Sequence, residues 1–158
     1  MSVHRIIHQQ IINAQLAEIW DFFIAPDNLE RLTPKDMRFK TTFPETPGPI
    51  YPGMVITYTV APLFGIPLFW MTEITHVDPL CRFVDEQRAG PYRLWHHQHL
   101  FRQLADGQVE MTDVIHYALP LGWLGDIVNR LLVRQRLRHI FDYRRQVVDR
   151  IFNTGKAG

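Results

Sequence analysis

In "GPYRLWHHQHLF", Gly90 to Phe101, three of the chain's eight histidines fall within four residues. If this stretch is a β-strand, its side chains alternate between two faces. His97 and His99 then share a face, roughly 7 Å apart at Cα, and His96 points the other way. Two imidazoles so placed can share a metal ion, pass protons as general acid and base, or hydrogen-bond in the wall of a pocket. A catalytic zinc site usually takes three protein ligands, and Asp113 on the following strand is the third candidate. The simpler reading is a hydrogen-bonded pair of neutral histidines at a polar spot in an apolar wall, without metal or other cofactor. Desolvation by Trp95 and Phe101 disfavours the imidazolium form. Two imidazolium rings side by side would repel, so the pair is expected not to be doubly charged.

The neighbouring residues decide what the histidines face. Arg93, Trp95, His97, His99 and Phe101 form one face of the strand, and Tyr92, Leu94, His96, Gln98 and Leu100 the other. Two large aromatics assign the first face to the pocket. In "MTDVIHY", Met111, Asp113, Ile115 and Tyr117 share a face. A two-residue loop at Asp106-Gly107 would set His97 opposite His116, whereas one extra residue sets His99 opposite Asp113. The second register is favoured, with Asp113 and Tyr117 in one network with the histidines; the first sends Asp113 to the outer face. Arg144 lies among apolar helix positions. It needs Asp113, Asp85 or Glu86 as a partner, or it runs past the sheet edge into water.

These groups need a scaffold. Val3 to Ile12 reads as a first strand. Leu16, Ile19, Trp20 and Phe23 then lie on one face of a short helix stopped by Pro26. Asp27 can cap a second short helix reaching Leu32. Strands follow at Met37 to Phe43, Met54 to Ala61, Leu68 to about Pro79, Arg82 to Gln87, Tyr92 to Leu104 and Val109 to Leu119. "FPETPGPIYPG", Phe43 to Gly53, is a surface loop. Trp123 to Phe152 reads as one long helix, with Val133, Leu137, Ile140, Val147 and Ile151 on a stripe that Phe141 and Val148 widen. Gly155 follows as its breaker. Gly122 and Gly125 mark a helix entrance after Pro120 rather than a nucleotide loop.

The expected fold is therefore α+β: a seven-stranded antiparallel sheet curved around a long C-terminal helix, with two short helices after the first strand. Only that helix is large enough to cover the apolar face of the sheet. A curved sheet gripping one helix leaves space between them. Trp20, Phe23, Trp70, Trp95, Phe101, Tyr117 and Phe141 all fall on inward faces. With His97, His99, Asp113 and Arg144 they are the candidate ligand-binding residues, an aromatic wall with a few convergent polar groups.

Composition narrows the classes. The chain has 158 residues, 46% hydrophobic and 21% charged, which suits one soluble domain spanning residues 1–158. A net charge of +1 and the lack of a recognition motif argue against nucleic acid. The one cysteine, Cys81, forms no intrachain disulfide, and the first ten residues do not read as a signal peptide, so a cytoplasmic location is expected. No nucleophile elbow, P-loop or dinucleotide fingerprint is present.

Four stretches, "AQLAEIWDFFIAPDNLERLTP", "FVDEQRAGPYRLWHHQHLF", "MTDVIHYALPLGWLG" and "IFDYRR", carry a family resemblance that spans Ala14 to Arg145. The chain resembles the START/Bet v 1-like (SRPBCC) superfamily, in its bacterial cyclase/dehydrase-like or ligand-binding branch. The resemblance implies a helix-grip fold with a cavity. It implies no single activity, because the superfamily includes lipid carriers, hormone receptors and aromatic-polyketide cyclases.

The first functional expectation is a protein that binds a small hydrophobic molecule, such as a lipid, a polyketide or another aromatic or isoprenoid-like compound. The second is a cyclase/dehydratase-like enzyme using a His-Asp pair as general acid-base, with no catalytic residue assigned. The third is docking on a membrane surface or partner through the last helix, which has seven arginines against three aspartates between Trp123 and Phe152. A solvated outer helix face is the simpler account of those arginines.

Overall fold

The computed structural model describes residues 2–44 and 48–154. Gly155 and the centre of the Phe43-to-Gly53 loop lie outside the described residues. Seven strands form one antiparallel sheet: β1 (His4–Ile12), β2 (Lys40–Phe43), β3 (Val55–Val60), β4 (Leu68–Asp78), β5 (Arg82–Ala89), β6 (Leu94–Gln103) and β7 (Val109–Ala118). Their order in space is β1-β7-β6-β5-β4-β3-β2. From β2 to β7 each strand pairs with its neighbour in sequence, and β1 returns to pair with β7. Period-two patterning holds through β6 and β7. Trp95, His97, His99 and Phe101 are buried on one strand, and Val109, Met111, Asp113, Ile115 and Tyr117 on the other.

Two short helices follow β1. α1 (Leu16–Phe23) buries Ile19, Trp20 and Phe23 against the sheet. α2 (Asn28–Arg31) is shorter than the sequence predicts, and Asp27 does not cap it. The Asp27 backbone is itself helical and its side chain makes no cap hydrogen bond. Asn28 ties the two helices instead, its side-chain amide donating to the Phe22 carbonyl at 2.9 Å. The strand expected from Met37 starts later. Lys35–Met37 form a 3-10 turn, and Arg38 takes a left-handed backbone (φ 47°) that reverses the chain before β2.

The C-terminal helix is continuous over residues 123–153. It consists of α3 (Trp123–Val128), a π-helical stretch (Asn129–Val133), α4 (Arg134–Val148) and a second π-helical stretch (Asp149–Asn153). Each π stretch winds more residues per turn and so rotates the buried face. Val133, Leu137, Phe141, Val148 and Phe152 are buried, while Ile140, Val147 and Ile151 are only half-buried. Gly125 is required by packing: a Cβ there would collide with the Pro120 carbonyl oxygen.

The described core has two large clusters and a small third one of Met54, Ile56 and Ile74. Ile12, Ile19, Trp20, Phe101 and Phe152 close the end beneath α1. Trp70, Trp95, Ile115, Leu137 and Phe141 pack beneath α4. No helix among the described residues is long and apolar enough to cross a membrane.

Candidate functional site

The β6–β7 hairpin sets the register of the site. The Gly107 N–H donates to the Leu104 carbonyl (3.1 Å) and the Leu104 N–H to the Gln108 carbonyl (2.8 Å), with Gly107 at φ 84°. A turn ended by a left-handed glycine inserts the extra residue that a two-residue loop lacks. His99 therefore faces Asp113, His97 faces Ile115 and Trp95 faces Tyr117. On the other side of β6, Asp85 faces His97 and Phe83 faces His99. In β4 the pairing with β5 shifts between Ile74 and His76. Thr75 is the bulged residue, so Ile74 and Asp85 share the inward face even though His76 and Val84 point outward.

Three adjacent strands thus build a closed polar group. The His97 and His99 rings lie with centroids 3.8 Å apart at an interplanar angle of 37°. The His97 Nε2–H donates to Asp113 Oδ1 (2.9 Å), and the His99 Nε2–H donates to Asp85 Oδ2 (2.8 Å). His97 Nδ1 lies 3.4 Å from Asp85 Oδ2, and His99 Nδ1 lies 2.9 Å from Asp113 Oδ1. That last contact is short but poorly aligned, and Nδ1 of His99 forms no hydrogen bond. From the helix, Arg144 Nη1 donates to Asp113 Oδ1 at 3.3 Å. Its guanidinium also sits 5.3 Å from the centre of the Phe141 ring. Phe83 stacks on His99 at 4.0 Å and forms the floor.

Charge follows from this geometry. Burial opposes the ionised form of Asp113, but Arg144 and the two imidazoles outweigh it and hold the carboxyl well below the usual carboxylate range. Asp85 is likewise held down, by His97 and His99 against its burial. Burial and the neighbouring His99 charge lower the pKa of His97. For His99, burial is outweighed by the facing carboxylates of Asp113 and Asp85, so its pKa is raised. The sequence predicts that the two rings are not both charged, and opposite shifts on the two rings agree with that. Asp85, a second carboxylate, makes His99 the ring that favours the proton.

The group opens onto a cavity of about 180 Å³ between the sheet and the C-terminal helix. Asp85, His97, His99 and Arg144 occupy one part of its wall, and Ile56, Ile74, Trp70, Trp95 and Leu137 are among its apolar lining. Thr72 organises the aromatic side, accepting from the Trp70 indole N–H (3.0 Å) and lying 3.1 Å from the Tyr58 hydroxyl. Burial pushes the Tyr58 phenol far up, so it stays neutral.

No protein-family model matches this sequence, and no curated protein matches it. Solved structures do. TTHA0849 from Thermus thermophilus superposes with a TM-score of 0.70 at 12% identity, over 93% of this chain and 95% of that one. Major latex-like protein 151 from Panax ginseng gives 0.68 at 12%, over 95% and 97% of the two chains. A norcoclaurine synthase point mutant from Thalictrum, in complex with a transition state analogue, gives 0.66 at 14%, over 95% and 96%. The chain has the START/Bet v 1-like helix-grip fold.

Within the helix grip, the predicted residues separate into two sets. Phe23, Trp70, Trp95, His97, His99, Phe141 and Arg144 line the cavity. Trp20 and Phe101 do not; they meet edge to face at 5.5 Å in the closed core beneath α1. Asp113 sits behind the histidines, beside His8 and Arg145. Tyr117 is outside the histidine network, because its hydroxyl donates to Asn129 Oδ1 at 2.8 Å. Arg93 is exposed and Tyr92 lines the cavity, since regular alternation starts only at Leu94. The sequence reading misses Tyr92, Tyr58, Leu137 and, above all, Asp85 as cavity residues. Counting in twos from Phe83 places Asp85 on the inward face.

Proposed function

We propose that this protein binds one small, mostly apolar molecule between its sheet and C-terminal helix, with the polar group of that molecule at Asp85, His99 and Arg144. The observation that supports this is the Asp85–His97–His99–Arg144 group in a largely apolar wall, the pattern of a site that orients an apolar ligand by one end. Arg136, the other charged lining residue, is engaged by Asp36 at 2.7 Å. Size narrows the ligand. An apolar cavity of about 150 Å³ takes a benzene ring, and common ligand pockets run from roughly 300 Å³ upward. At about 180 Å³ the site suits a single aromatic ring or a short branched chain. A polyketide or a lipid requires the helices around the cavity to move apart.

Native mass spectrometry of the purified protein tests this reading. One bound organic molecule per chain is expected, and Trp95→Ala, which enlarges the wall, should change which molecules are retained. An unliganded wild type that takes up no aromatic or short-chain compound overturns the proposal.

A second reading is favoured by the entrance of the C-terminal helix. Leu121, Trp123, Leu124 and Leu131 are exposed there, next to the exposed Arg130 and Arg134. An apolar patch edged by arginines suits an anionic bilayer surface. Sedimentation with anionic vesicles that weakens as salt rises supports this reading, and equal sedimentation with neutral vesicles opposes it.

A further inference from the structure

We propose that His97 Nδ1, His99 Nε2 and Asp85 Oδ2 form a site for one divalent transition-metal ion, with zinc the best match to two imidazoles and a carboxylate. The sequence alone argues against a metal, because only two ligands lie close along the chain. The fold supplies the third from the preceding strand. His99 Nε2 and His97 Nδ1 lie 2.8 Å and 3.4 Å from Asp85 Oδ2, and the three ligand atoms are within 4.8 Å of one another. An ion held at about 2.0–2.1 Å by each ligand needs donor atoms about 2.9–3.4 Å apart, for octahedral and tetrahedral geometry respectively. Small side-chain rotations seat it.

The surroundings point the same way. Metal-binding histidines commonly turn their other nitrogen to a carboxylate, which fixes the tautomer. Here one carboxylate serves both rings: Asp113 Oδ1 accepts from His97 Nε2–H at 2.9 Å and lies 2.9 Å from His99 Nδ1. In the metal-free group the His99 Nε2–H donates to Asp85 Oδ2, and a bound cation takes the place of that proton. His99 Nε2, His97 Nδ1 and Asp85 Oδ2 then converge as three electron-rich atoms whose mutual repulsion the cation offsets. Arg144 in turn holds Asp113 in place. His97 and His99 are buried, and all four groups stand on adjacent strands, so the arrangement is rigid. Asp85, His97 and His99 face the cavity while Asp113 does not. The open coordination positions therefore face the space where a ligand oxygen or water can enter. This site stands on the five side chains and is independent of the apolar-ligand proposal.

The test uses cobalt(II) and zinc(II) alone, added to the full chain after dialysis against a chelator. One equivalent of cobalt should bind, with d–d absorption and hyperfine-shifted ring-proton resonances from two histidines, and zinc should displace it. Asp85→Asn and His99→Gln should abolish stoichiometric binding. Asp113→Asn should weaken it 10- to 100-fold. His96→Ala is the control, because His96 pairs with Glu86 on the outer face, and it should bind as the wild type does. Wild-type protein that takes up neither ion, resonances from a single histidine, or binding lost in His96→Ala would each overturn the proposal. The wild-type spectra keep the test decisive if a variant fails to fold.

Discussion

The His97 and His99 rings lie 3.8 Å apart, centre to centre, in the inner wall of the sheet. Each has one nitrogen near Asp85 and the other near Asp113. Neither carboxylate alone explains the pair. Asp113 is neutralised from behind by Arg144, which leaves Asp85 as the anion presented to the cavity. That division makes one side of the group structural and the other available to a ligand.

The Asp113–Arg144 contact should show as coupling in stability. Breaking a buried charge pair from one side leaves the other charge uncompensated, at roughly 3–5 kcal/mol. Asp113→Leu and Arg144→Leu should each cost about that much in urea denaturation with chelator present. The double variant should cost less than the two together by about 1–3 kcal/mol. Additive losses would show that the two charges do not support each other.

Tyr117 gives a contrasting case. Its hydroxyl donates to buried Asn129 at 2.8 Å in the first π-helical stretch, away from the cavity lining. Tyr117→Phe should lower stability by about 1–3 kcal/mol, because Asn129 loses its donor. Affinity for a cavity ligand should be unchanged. A drop in affinity with stability intact would place Tyr117 at the binding site after all.

The two residues show how far the chain can be read from its sequence. Seven strands, their sequence along the chain and the gripping helix follow from alternation and helical periodicity, whereas the pairing of β1 with β7 has no local signal. Trp95, His97 and His99 obey that alternation. The His99–Asp113 register also follows, once Asp106-Gly107 is given an extra loop residue. What alternation cannot show is which of two inward residues meets the cavity and which meets closed core. Trp20 and Phe101 share the inward face with Trp95, yet α1 covers them. Tyr117 is drawn away by Asn129, a buried polar residue at the start of a π-helical stretch, which apolar spacing does not mark. Asp85 follows from Phe83 by the same alternation, whereas the bulge at Thr75 that sets Ile74 opposite it is not marked by local sequence.

His8 predicts a pH effect. It stacks on Phe141 at 4.6 Å, with Nε2 buried and unpartnered. Loss of water lowers its pKa, and the nearby carboxylates of Asp113 and Asp142 only partly offset that. The fold therefore favours the neutral ring. As pH falls through the unfolded value of about 6.5, the unfolded chain takes a proton that the folded chain resists, and stability declines. His8→Phe keeps the stacking and removes the titration. Between pH 7.5 and 5.5 the wild type should lose stability relative to this variant in parallel urea titrations. Curves that stay parallel would mean that the His8 proton is equally welcome in both states.

Where a bound apolar molecule sits tests the central account most directly. Methyl chemical-shift mapping during titration with a single-ring aromatic compound reads that position. Ile56, Ile74, Leu137 and Ile140 line the cavity, whereas Leu121, Leu124 and Leu131 are exposed at the helix entrance. Saturable shifts confined to the first four are the predicted result, with one ligand per chain. Shifts confined to the exposed leucines, with the cavity methyls unmoved, would contradict it.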